Sequence, residues 1–387
     1  MSWDEKWRGF VEGRLDERQR AGLLRSLESL RPRSPVRVER EGEEDLLLFS
    51  SNDYLGLSGD PRVIEGVRDT IERYGLGPRG SPLICGYTIL HEQLERRIAG
   101  WKGAESALLC PTGFAANLAV ISGLADADTT IFSDELNHAS IIDGCSLAKR
   151  GGATLEIYAH RDTEELERKL EACRTKRAMV VTDSVFSMDG DLAPLVELAE
   201  LCERYGALFI VDEAHGGFVF GESGRGLAEE MGVTDRVDVH VGTLSKGAGG
   251  MGGFIATHTS LRTLLLNLGR SYIYSTAAPL SVIGGLLAAV DIVENDEEPR
   301  RRLWERVHQL GESLGSELVS PIVPIVIGDE DDAMAASELL RRRGIDVTAI
   351  RPPTVPEGTS RLRITLSAAH TAEDVERLVE ALREVEV

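Results

Sequence analysis

Apolar segments of strand length, alternating with helical stretches, are the feature of this sequence that most constrains its fold. Five of them occupy the middle of the chain, at residues 107–110, 178–182, 207–211, 237–241 and 253–257. Strands that are apolar throughout are typical of sheets buried on both faces, and the helices between them are typical of parallel connections. The pattern therefore predicts an α/β core built on a mostly parallel sheet.

The organisation of the chain changes after about residue 285. Beyond this point come helical stretches and three strand-like segments, 322–327, 345–350 and 361–366, and the last helix begins at Thr371 with the capping-box spacing to Asp374. Before residue 46 the chain is polar and prone to form helix. We therefore predict three parts: an N-terminal helical segment (1–45), a large α/β domain (46–285) and a smaller α+β domain (286–387).

The charge and the cysteines exclude several classes of function. The formal net charge is −21 at pH 7, whereas general nucleic-acid binders and proteins that dock on anionic membranes present basic surfaces. Five scattered cysteines without a Cys-x-x-Cys pair predict neither a disulfide framework nor a metal site. The sequence has no apolar run of membrane-spanning length and no secretory signal. We expect a cytoplasmic protein that binds no nucleic acid, membrane or metal.

A lysine and an aspartate each follow a predicted buried strand. Lys246 lies in the glycine-rich segment 241–253, where burial would lower the pKa of its amine and leave the lone pair free to form an imine. Asp212, with His215 three residues later, lies at the carboxyl end of the strand 207–211, where open α/β sheets bind ligands. An aspartate there can keep a pyridine nitrogen protonated, which makes pyridoxal 5′-phosphate (PLP) an electron sink. Alone, a lysine beside glycines is more often merely solvated.

Two further motifs begin helices next to predicted strands. Gly113 and Phe114 follow the strand 107–110, and the first amides and the dipole of a helix that starts there can bind a phosphate group. His138 follows another strand-like segment and can stack on an aromatic ring. Each motif by itself is equally compatible with a simple helix start or a structural histidine.

Other interpretations of these motifs fit the sequence less well. Residues 212–215, Asp-Glu-Ala-His, match a helicase box, but the P-loop that such a box requires is absent because the chain has no Gly-Lys pair. Residues 75–80 and 247–252 match Gly-x-Gly-x-x-Gly. Neither lies between a strand and a helix, as a dinucleotide-binding fingerprint does.

Together, these motifs resemble those of the α-oxoamine synthases, a family of fold-type I PLP enzymes, over almost the whole chain. They occur in the family's order, at 51–57, 110–114, 137–140, 185–191, 212–216, 243–247 and 274–276. The segment 349–363 resembles the branch of the family that serves biotin biosynthesis. In the glycine-rich loop of the family this chain has two prolines, Pro78 and Pro82, which predict a stiffer loop.

The resemblance implies a seven-stranded, mostly parallel sheet, a homodimer and a set of PLP contacts. Lys246 would hold the cofactor as an imine, Asp212 would pair with the pyridine nitrogen, His215 would contact the 3-hydroxyl and His138 would stack on the ring. Further cofactor contacts are implied for Gly113, Phe114, Ser187 and Thr243 and, from the partner subunit across an interfacial active site, for Ser275 and Thr276.

The resemblance also implies the reaction, in which L-alanine condenses with pimeloyl-CoA or a pimeloyl carrier protein and CO2 is lost. Arg351 would bind the carboxylate of the amino acid, and Asn52 and His138 would lie beside it. Arg25 and Thr354 would line the path of the acyl substrate. Two alternatives remain: a sister synthase that uses glycine or serine, such as one that makes 2-amino-3-oxobutyrate from glycine and acetyl-CoA, and a non-catalytic protein of the same fold. The joint presence of the lysine, the aspartate and both histidines argues against the second.

Overall fold

The computed structural model describes residues 4–20, 22–25, 27–40 and 45–385. At its start, a solvent-exposed helix is followed by three short strands: α1 (Glu5–Arg20), β1 (Leu30–Ser34), β2 (Arg37–Arg40) and β3 (Leu46–Leu48). The helical segment predicted for 1–45 is thus correct only for its first part. The prediction missed β1 and β2 because they are short and polar, and cross-strand pairing with each other and with β3 forms them.

The middle of the chain alternates strands and helices as predicted. In chain order these are α2 (Pro61–Tyr74), α3 (Ile89–Lys102), β4 (Ser106–Cys110), α4 (Gly113–Leu124), β5 (Thr129–Asp134), α5 (Ala139–Arg150), β6 (Thr154–Tyr158), α6 (Thr163–Ala172), β7 (Arg177–Asp183), α7 (Leu195–Tyr205), β8 (Leu208–Asp212), α8 (Leu227–Glu230), β9 (Val239–Thr243), β10 (Gly253–Thr257), α9 (Thr259–Leu268), α10 (Arg270–Ile273) and α11 (Leu280–Asn295).

These strands form one seven-stranded sheet in the order β4-β10-β9-β8-β7-β5-β6. β10 runs antiparallel to both of its neighbours and the other strands share one direction, so the predicted mostly parallel sheet is confirmed. β5, β9 and β10 are buried at every residue, which is typical of sheet strands that are covered on both faces. Asp183, Asp212 and Thr243 are the last residues of β7, β8 and β9, and all lie at one edge of the sheet.

The C-terminal part is α+β, as predicted. It contains α12 (Glu298–Leu314), β11 (Ile322–Gly328), α13 (Glu330–Arg342), β12 (Ile345–Asp346), β13 (Thr348–Ile350), β14 (Ser360–Thr365) and α14 (Ala372–Leu382). β11, β14 and β13 form an antiparallel sheet, whereas β12 pairs with β3 and so joins the N-terminal strands. The Thr371–Asp374 capping box forms.

The domain boundary predicted between residues 285 and 286 falls inside α11. The helix continues through this boundary, and the division of the chain into three parts remains a prediction. Pro82 begins a π-helical turn, Pro82–Gly86, in the proline-containing loop. No helix among the described residues is long and apolar enough to cross a membrane.

Candidate active site

A pocket of about 320 Å³ opens where the carboxyl edge of the large sheet faces the C-terminal sheet. Its walls come from widely separated segments, because parallel strands bring their carboxyl ends to one edge. Its lining consists of Ser50, Asn52, His138, Ser187, Met188, His215, Lys246, Thr348, Ile350 and Arg363. Of the predicted catalytic residues, Lys246, His138 and His215 line the pocket, and Asp212 is buried beside it.

Lys246 lies in the turn after β9, and its Nζ is 2.7 Å from Nε2 of His215. Burial lowers the pKa of this amine to about 8, although the charges of Asp212 and Asp183 oppose the shift. Burial and then the Lys246 charge hold the pKa of His215 well below its usual range. The pocket therefore presents a neutral imidazole to an amine that loses its proton near physiological pH.

The other nitrogen of His215 is held by a tyrosine that the sequence analysis passed over. The hydroxyl of Tyr54 lies 2.6 Å from Nδ1 of His215 and 3.3 Å from Oδ1 of Asn52. Burial raises the pKa of Tyr54 to about 12, so its hydroxyl keeps its proton. When the Lys246 amine is neutral, Tyr54 can donate to Nδ1 while the Nε2–H of the imidazole donates to the amine.

Asp212 is the last residue of β8, and both of its carboxylate oxygens accept hydrogen bonds. Oδ2 accepts a 2.6 Å hydrogen bond from Nδ2 of Asn117, and Oδ1 accepts one from the Ala214 amide at 2.8 Å. Asn117 lies on α4 and also donates to the Ser140 hydroxyl at 2.9 Å. Its buried Oδ1 finds no hydrogen-bond partner among the described residues. The carboxylate is therefore oriented by a side chain that the sequence motifs did not indicate.

His138 precedes α5 and is fixed through its backbone. Its amide donates to Oδ2 of Asp183 at 2.7 Å, and its Nδ1 accepts from the Ser140 amide at 3.2 Å. Burial lowers the pKa of His138. Burial, and then the charge of Asp212, raises the pKa of Asp183 well above its usual range. Asp183 follows the predicted strand 178–182 as Asp212 follows 207–211, and it was missed because no histidine lies three residues after it.

The predicted phosphate contacts meet at the start of α4. Thr112 caps this helix by accepting from the Ala115 amide at 3.0 Å. A Cβ on Gly113 would lie 3.2 Å from Cβ of Thr243, so only glycine lets these two segments approach without adjustment. Phe114 lies edge-on to His138, with ring centroids 6.3 Å apart. The N-terminus of α4 thus opens beside the histidine, as an anion site requires.

Arg363, on β14, brings a guanidinium into the Lys246 pocket. Its Nε donates to the carbonyl of Ser187 at 2.5 Å, and its two terminal nitrogens lie 3.3 Å from Oδ1 of Asn52. The predicted residues Asn52 and Ser187 thus line this pocket beside a cation that was not predicted. Arg363 ends the segment 349–363 and lies two residues after Arg361, so strand alternation places both side chains on one face of β14 and does not distinguish them.

Arg351, Arg25 and Thr354 lie in a neighbouring pocket of about 340 Å³. The two pockets share Thr348 and Ile350 in their walls. Nη1 of Arg351 donates to the carbonyl of Gly22 at 2.6 Å, so its guanidinium faces the N-terminal segment. The structure therefore separates Arg351 from the Lys246 pocket by one strand.

Ser275 and Thr276 do not line the Lys246 pocket of their own chain. Ser275 donates its hydroxyl to the carbonyl of Ser271 at 2.6 Å, and Thr276 is exposed. Their predicted contact with the cofactor of a partner subunit remains a prediction.

Comparison with known proteins identifies the family to which this chain belongs. The family described as "Aminotransferase class I and II" matches residues 44–382, and the chain belongs to it. The 8-amino-7-oxononanoate synthase of Arabidopsis thaliana is 48% identical over 352 residues, which are 87% of this chain and 74% of that protein. The enzyme of the same name from Anaeromyxobacter dehalogenans is 45% identical and covers 97% of this chain and 95% of its own. Within its class, the chain therefore belongs to the 8-amino-7-oxononanoate synthase family.

Solved structures agree with this assignment. Serine palmitoyltransferase from S. paucimobilis is 29% identical and superposes with a TM-score of 0.91 over 100% of this chain and 98% of its own. 8-Amino-7-oxononanoate synthase from Francisella tularensis is 28% identical and has a TM-score of 0.75, covering 88% of this chain and 98% of its own. The predictions of the family and of the fold-type I architecture are confirmed.

Proposed function

We propose that this chain condenses L-alanine with a pimeloyl thioester, giving 8-amino-7-oxononanoate, CO2 and the free thiol, in biotin biosynthesis. The relatives named 8-amino-7-oxononanoate synthase are PLP-dependent acyltransferases of that pathway, and the chain is an enzyme of their kind. One observation carries the assignment to this pocket. The Lys246 amine, with a pKa of about 8, lies 2.7 Å from a neutral His215 in a pocket that also contains Arg363.

The pocket fits PLP, the cofactor predicted from the sequence and bound in the serine palmitoyltransferase structures. Lys246 would hold it through its amine, Asp212 would face the pyridine nitrogen, and His138 and His215 would flank the ring. The unpartnered Oδ1 of Asn117 adds a polar group beside Asp212. The start of α4, with Gly113 against Thr243, would receive the phosphate. When bound, PLP stabilises negative charge on the α-carbon of an amino acid.

The protein residues then supply positioning and proton transfer. Nζ of Lys246 is the base for the α-proton of alanine, because its lowered pKa leaves much of the amine neutral at working pH. His215, which is neutral and held by Tyr54, donates a hydrogen bond without competing for that proton. His138 lies across the pocket and can polarise the new carbonyl of the product.

We assign the carboxylate of alanine to Arg363 and not, as the sequence suggested, to Arg351. A guanidinium binds a carboxylate best through two parallel hydrogen bonds, and that of Arg363 is anchored at Nε by the Ser187 carbonyl with its terminal nitrogens in the pocket. Oδ1 of Asn52 accepts hydrogen bonds from those two nitrogens and keeps the guanidinium in place until substrate binds.

The acyl substrate would enter through the neighbouring pocket, which has Arg18, Arg25 and Arg351 in its walls. Three cations suit a substrate that carries a carboxylate at the far end of its chain and phosphates on its thiol carrier. Thr354 lies at the same opening, and Ile350, shared by both pockets, lies where the acyl chain would pass. Both CoA and a carrier protein supply such a thioester.

We also propose a cytoplasmic homodimer with the active site at its interface. An exposed apolar patch consists of Leu76, Leu83, Ile84 and Tyr274, of which Ile84 is 81% exposed. Its segments are joined by backbone hydrogen bonds, such as that from the Leu280 amide to the Leu76 carbonyl at 3.1 Å. Apolar patches of this kind mark subunit interfaces. Ser275 and Thr276 adjoin Tyr274 and would reach the partner's cofactor.

Release of free thiol by the purified, PLP-loaded protein tests the function. We expect release that requires both pimeloyl-CoA and L-alanine and is abolished in Lys246→Ala. A matched control is Lys176→Ala, at an exposed surface lysine, which should leave the rate unchanged. Release with glycine and acetyl-CoA alone would instead identify the sister synthase. If thiol release is absent with pimeloyl-CoA but present with a pimeloyl carrier protein, the acyl donor is protein-bound.

A further inference from the structure

The segment 186–191, here termed the Ser187 loop, forms part of the pocket wall. It is a tight turn closed by hydrogen bonds from the Phe186 amide to the Asp191 carbonyl, 3.0 Å, and from the Gly190 amide to the Phe186 carbonyl, 2.8 Å. Gly190 has a φ of +70°, and a Cβ there would collide with the Ile322 carbonyl. The turn thus presents its tip to the pocket in one conformation.

Two groups of cations hold the loop from opposite ends. At the tip, Arg363 binds the Ser187 carbonyl and Arg361 pairs with Asp189. At the base, Nε2 of His160 lies 2.8 Å from Oδ2 of Asp191, and Nη1 of Arg161 lies 3.1 Å from the same oxygen. The tip contacts come from the C-terminal sheet, whereas the base contacts come from the segment after β6.

His160 joins two carboxylates that belong to different pocket segments. Its Nδ1 lies 3.0 Å from Oδ1 of Asp134 and its Nε2 contacts Asp191, so both ring nitrogens face anions. Asp134 ends β5, four residues before His138, and its Oδ1 also accepts from the Leu136 amide at 2.9 Å. A ring that donates at both nitrogens must be an imidazolium.

The surroundings of His160 favour that cation. Partial burial by itself would lower the pKa of His160, but the hydrogen bonds to Asp134 and Asp191 outweigh it and raise the pKa to about 9. Phe186 packs edge-on against the ring, with centroids 4.3 Å apart. Arg161 is the neighbouring cation, and the Glu135 carboxylate accepts the His160 amide at 2.9 Å.

We propose that His160 is a positioning residue whose imidazolium sets the Ser187 loop against the strand end that leads to His138. Because the loop carbonyl of Ser187 anchors Arg363, the cation acts on the guanidinium that binds the substrate carboxylate. The inference deepens the proposed function and rests on it for the role of Arg363 and for the identity of the amino acid. Loss of the charge weakens amino-acid binding more than it slows the chemical step.

The pH window follows from the direction of the shift. An ordinary histidine loses its proton near pH 6.5, at about its unperturbed value. His160 keeps its proton to about pH 9. The anchor is therefore fully present at neutral pH and is lost as the pH rises through about 9.

The test compares steady-state kinetics of the holoenzyme, His160→Gln and Asp191→Asn between pH 7 and 10. At pH 7.5 both variants should raise KM for L-alanine roughly tenfold and change kcat by less than about threefold. The ratio of the His160→Gln KM to the wild-type KM should fall towards one as the pH passes about 9, whereas that of Asp191→Asn should stay above one because Arg161 still holds Asp191 in the wild type. This ratio cancels the titration of alanine and of Lys246, which affects all three proteins alike.

His258→Gln is the control, since His258 also lies beside carboxylates, Glu105 and Asp238, but is exposed and remote from the loop. Hydrogen exchange of residues 186–191 at pH 7.5 should be faster in His160→Gln and Asp191→Asn but not in His258→Gln, and this readout needs no substrate. A KM ratio for His160→Gln that is one, or that does not vary with pH, overturns the proposal, as does unchanged exchange in that variant. A wild type inactive with alanine refutes the proposed function instead, and the exchange result still decides the role of His160.

Discussion

Asp183 and Asp212 are directly paired in the register of β7 and β8, so two carboxyl groups lie side by side next to the pocket. Their environments differ. Asp212 accepts hydrogen bonds from Asn117 and the Ala214 amide, whereas Asp183 accepts the His138 amide. Burial and the neighbouring Asp212 charge raise the pKa of Asp183. The pair is therefore divided into a charged carboxylate, suited to a pyridinium, and a partner that favours its protonated form.

Replacing Asp183 with asparagine should cost little PLP affinity or activity, whereas the same replacement of Asp212 should cost much activity. Asp183→Asn keeps an oxygen that accepts the His138 amide and removes the repulsion, so PLP affinity should stay within about threefold of wild type. Asp212→Asn should lower kcat by roughly a hundredfold or more, because no charge would then hold the pyridine nitrogen protonated. Cofactor titration followed by absorbance, with turnover on the same samples, measures both. Equal losses in the two variants would contradict this division.

The same shift gives the stability of the cofactor-free protein a pH dependence. A carboxyl group whose pKa is raised on folding stabilises the protein at low pH and loses that contribution as the pH rises through its folded pKa. Asp183→Asn, which mimics the protonated form at every pH, should keep it. Its Tm should exceed that of the wild type by about 1–3 °C at neutral pH, and the two should converge on acidification. Differential scanning calorimetry across pH 4–8 checks this, and a constant difference would contradict it.

Lys246 should react with acylating reagents at lower pH than the surface lysines do. Its pKa of about 8 in the cofactor-free protein means that half of the amine is neutral there, and burial is the main cause. Competitive labelling with acetic anhydride, read by mass spectrometry, gives the midpoint, and Lys176 is the exposed reference. Removing the Asp212 charge in Asp212→Asn should move the midpoint lower still, because that charge favours the protonated amine.

The strands of the sheet core were predictable because each is marked by a continuous apolar run in the sequence. β10 was predicted to the residue, and β7, β8 and β9 within one or two residues. β6 was missed because it is an edge strand with partly exposed side chains, and its pattern lacks the continuous apolar run of the others. β1 and β2 were missed for a related reason, since pairing between segments creates them.

Residues of the site were predictable where a local sequence motif identifies them. Lys246 and Asp212 were identified because each follows a buried strand. Asn117, Asp183 and Arg363 were not, because their roles depend on which distant side chain they meet: α4 brings Asn117 to Asp212, and β14 brings Arg363 to Ser187. Long-range contacts of this kind leave no spacing in the sequence.

Ile84→Asp should convert the proposed dimer into a monomer. The side chain is 81% exposed in the single chain, and a carboxylate buried at an interface without a partner is strongly unfavourable. Sedimentation velocity should show one species of half the mass, with thiol release lost because Ser275 and Thr276 no longer reach the partner's site. Ile157→Asp is the control, since Ile157 is exposed on β6 at the far edge of the sheet. A dimeric Ile84→Asp variant, or an active monomer, would contradict the interface.

Tyr54 should matter to catalysis through His215, although it needs no contact with substrate. Tyr54→Phe leaves Nδ1 of a buried imidazole without its 2.6 Å partner, at a cost of about 1–3 kcal/mol for an unsatisfied polar group. The imidazole can recover a hydrogen bond only by turning away from Lys246, so kcat should fall by roughly tenfold to a hundredfold. The KM for L-alanine should change less than kcat, because the Ser187 carbonyl still holds Arg363 when the Tyr54 hydroxyl beside Asn52 is lost. Tyr158→Phe is a control at another buried tyrosine, in β6, which lies away from the pocket. Steady-state kinetics with both variants distinguishes an effect through His215 from a general effect of removing a buried hydroxyl. A normal kcat in Tyr54→Phe would show that His215 keeps its orientation without the tyrosine.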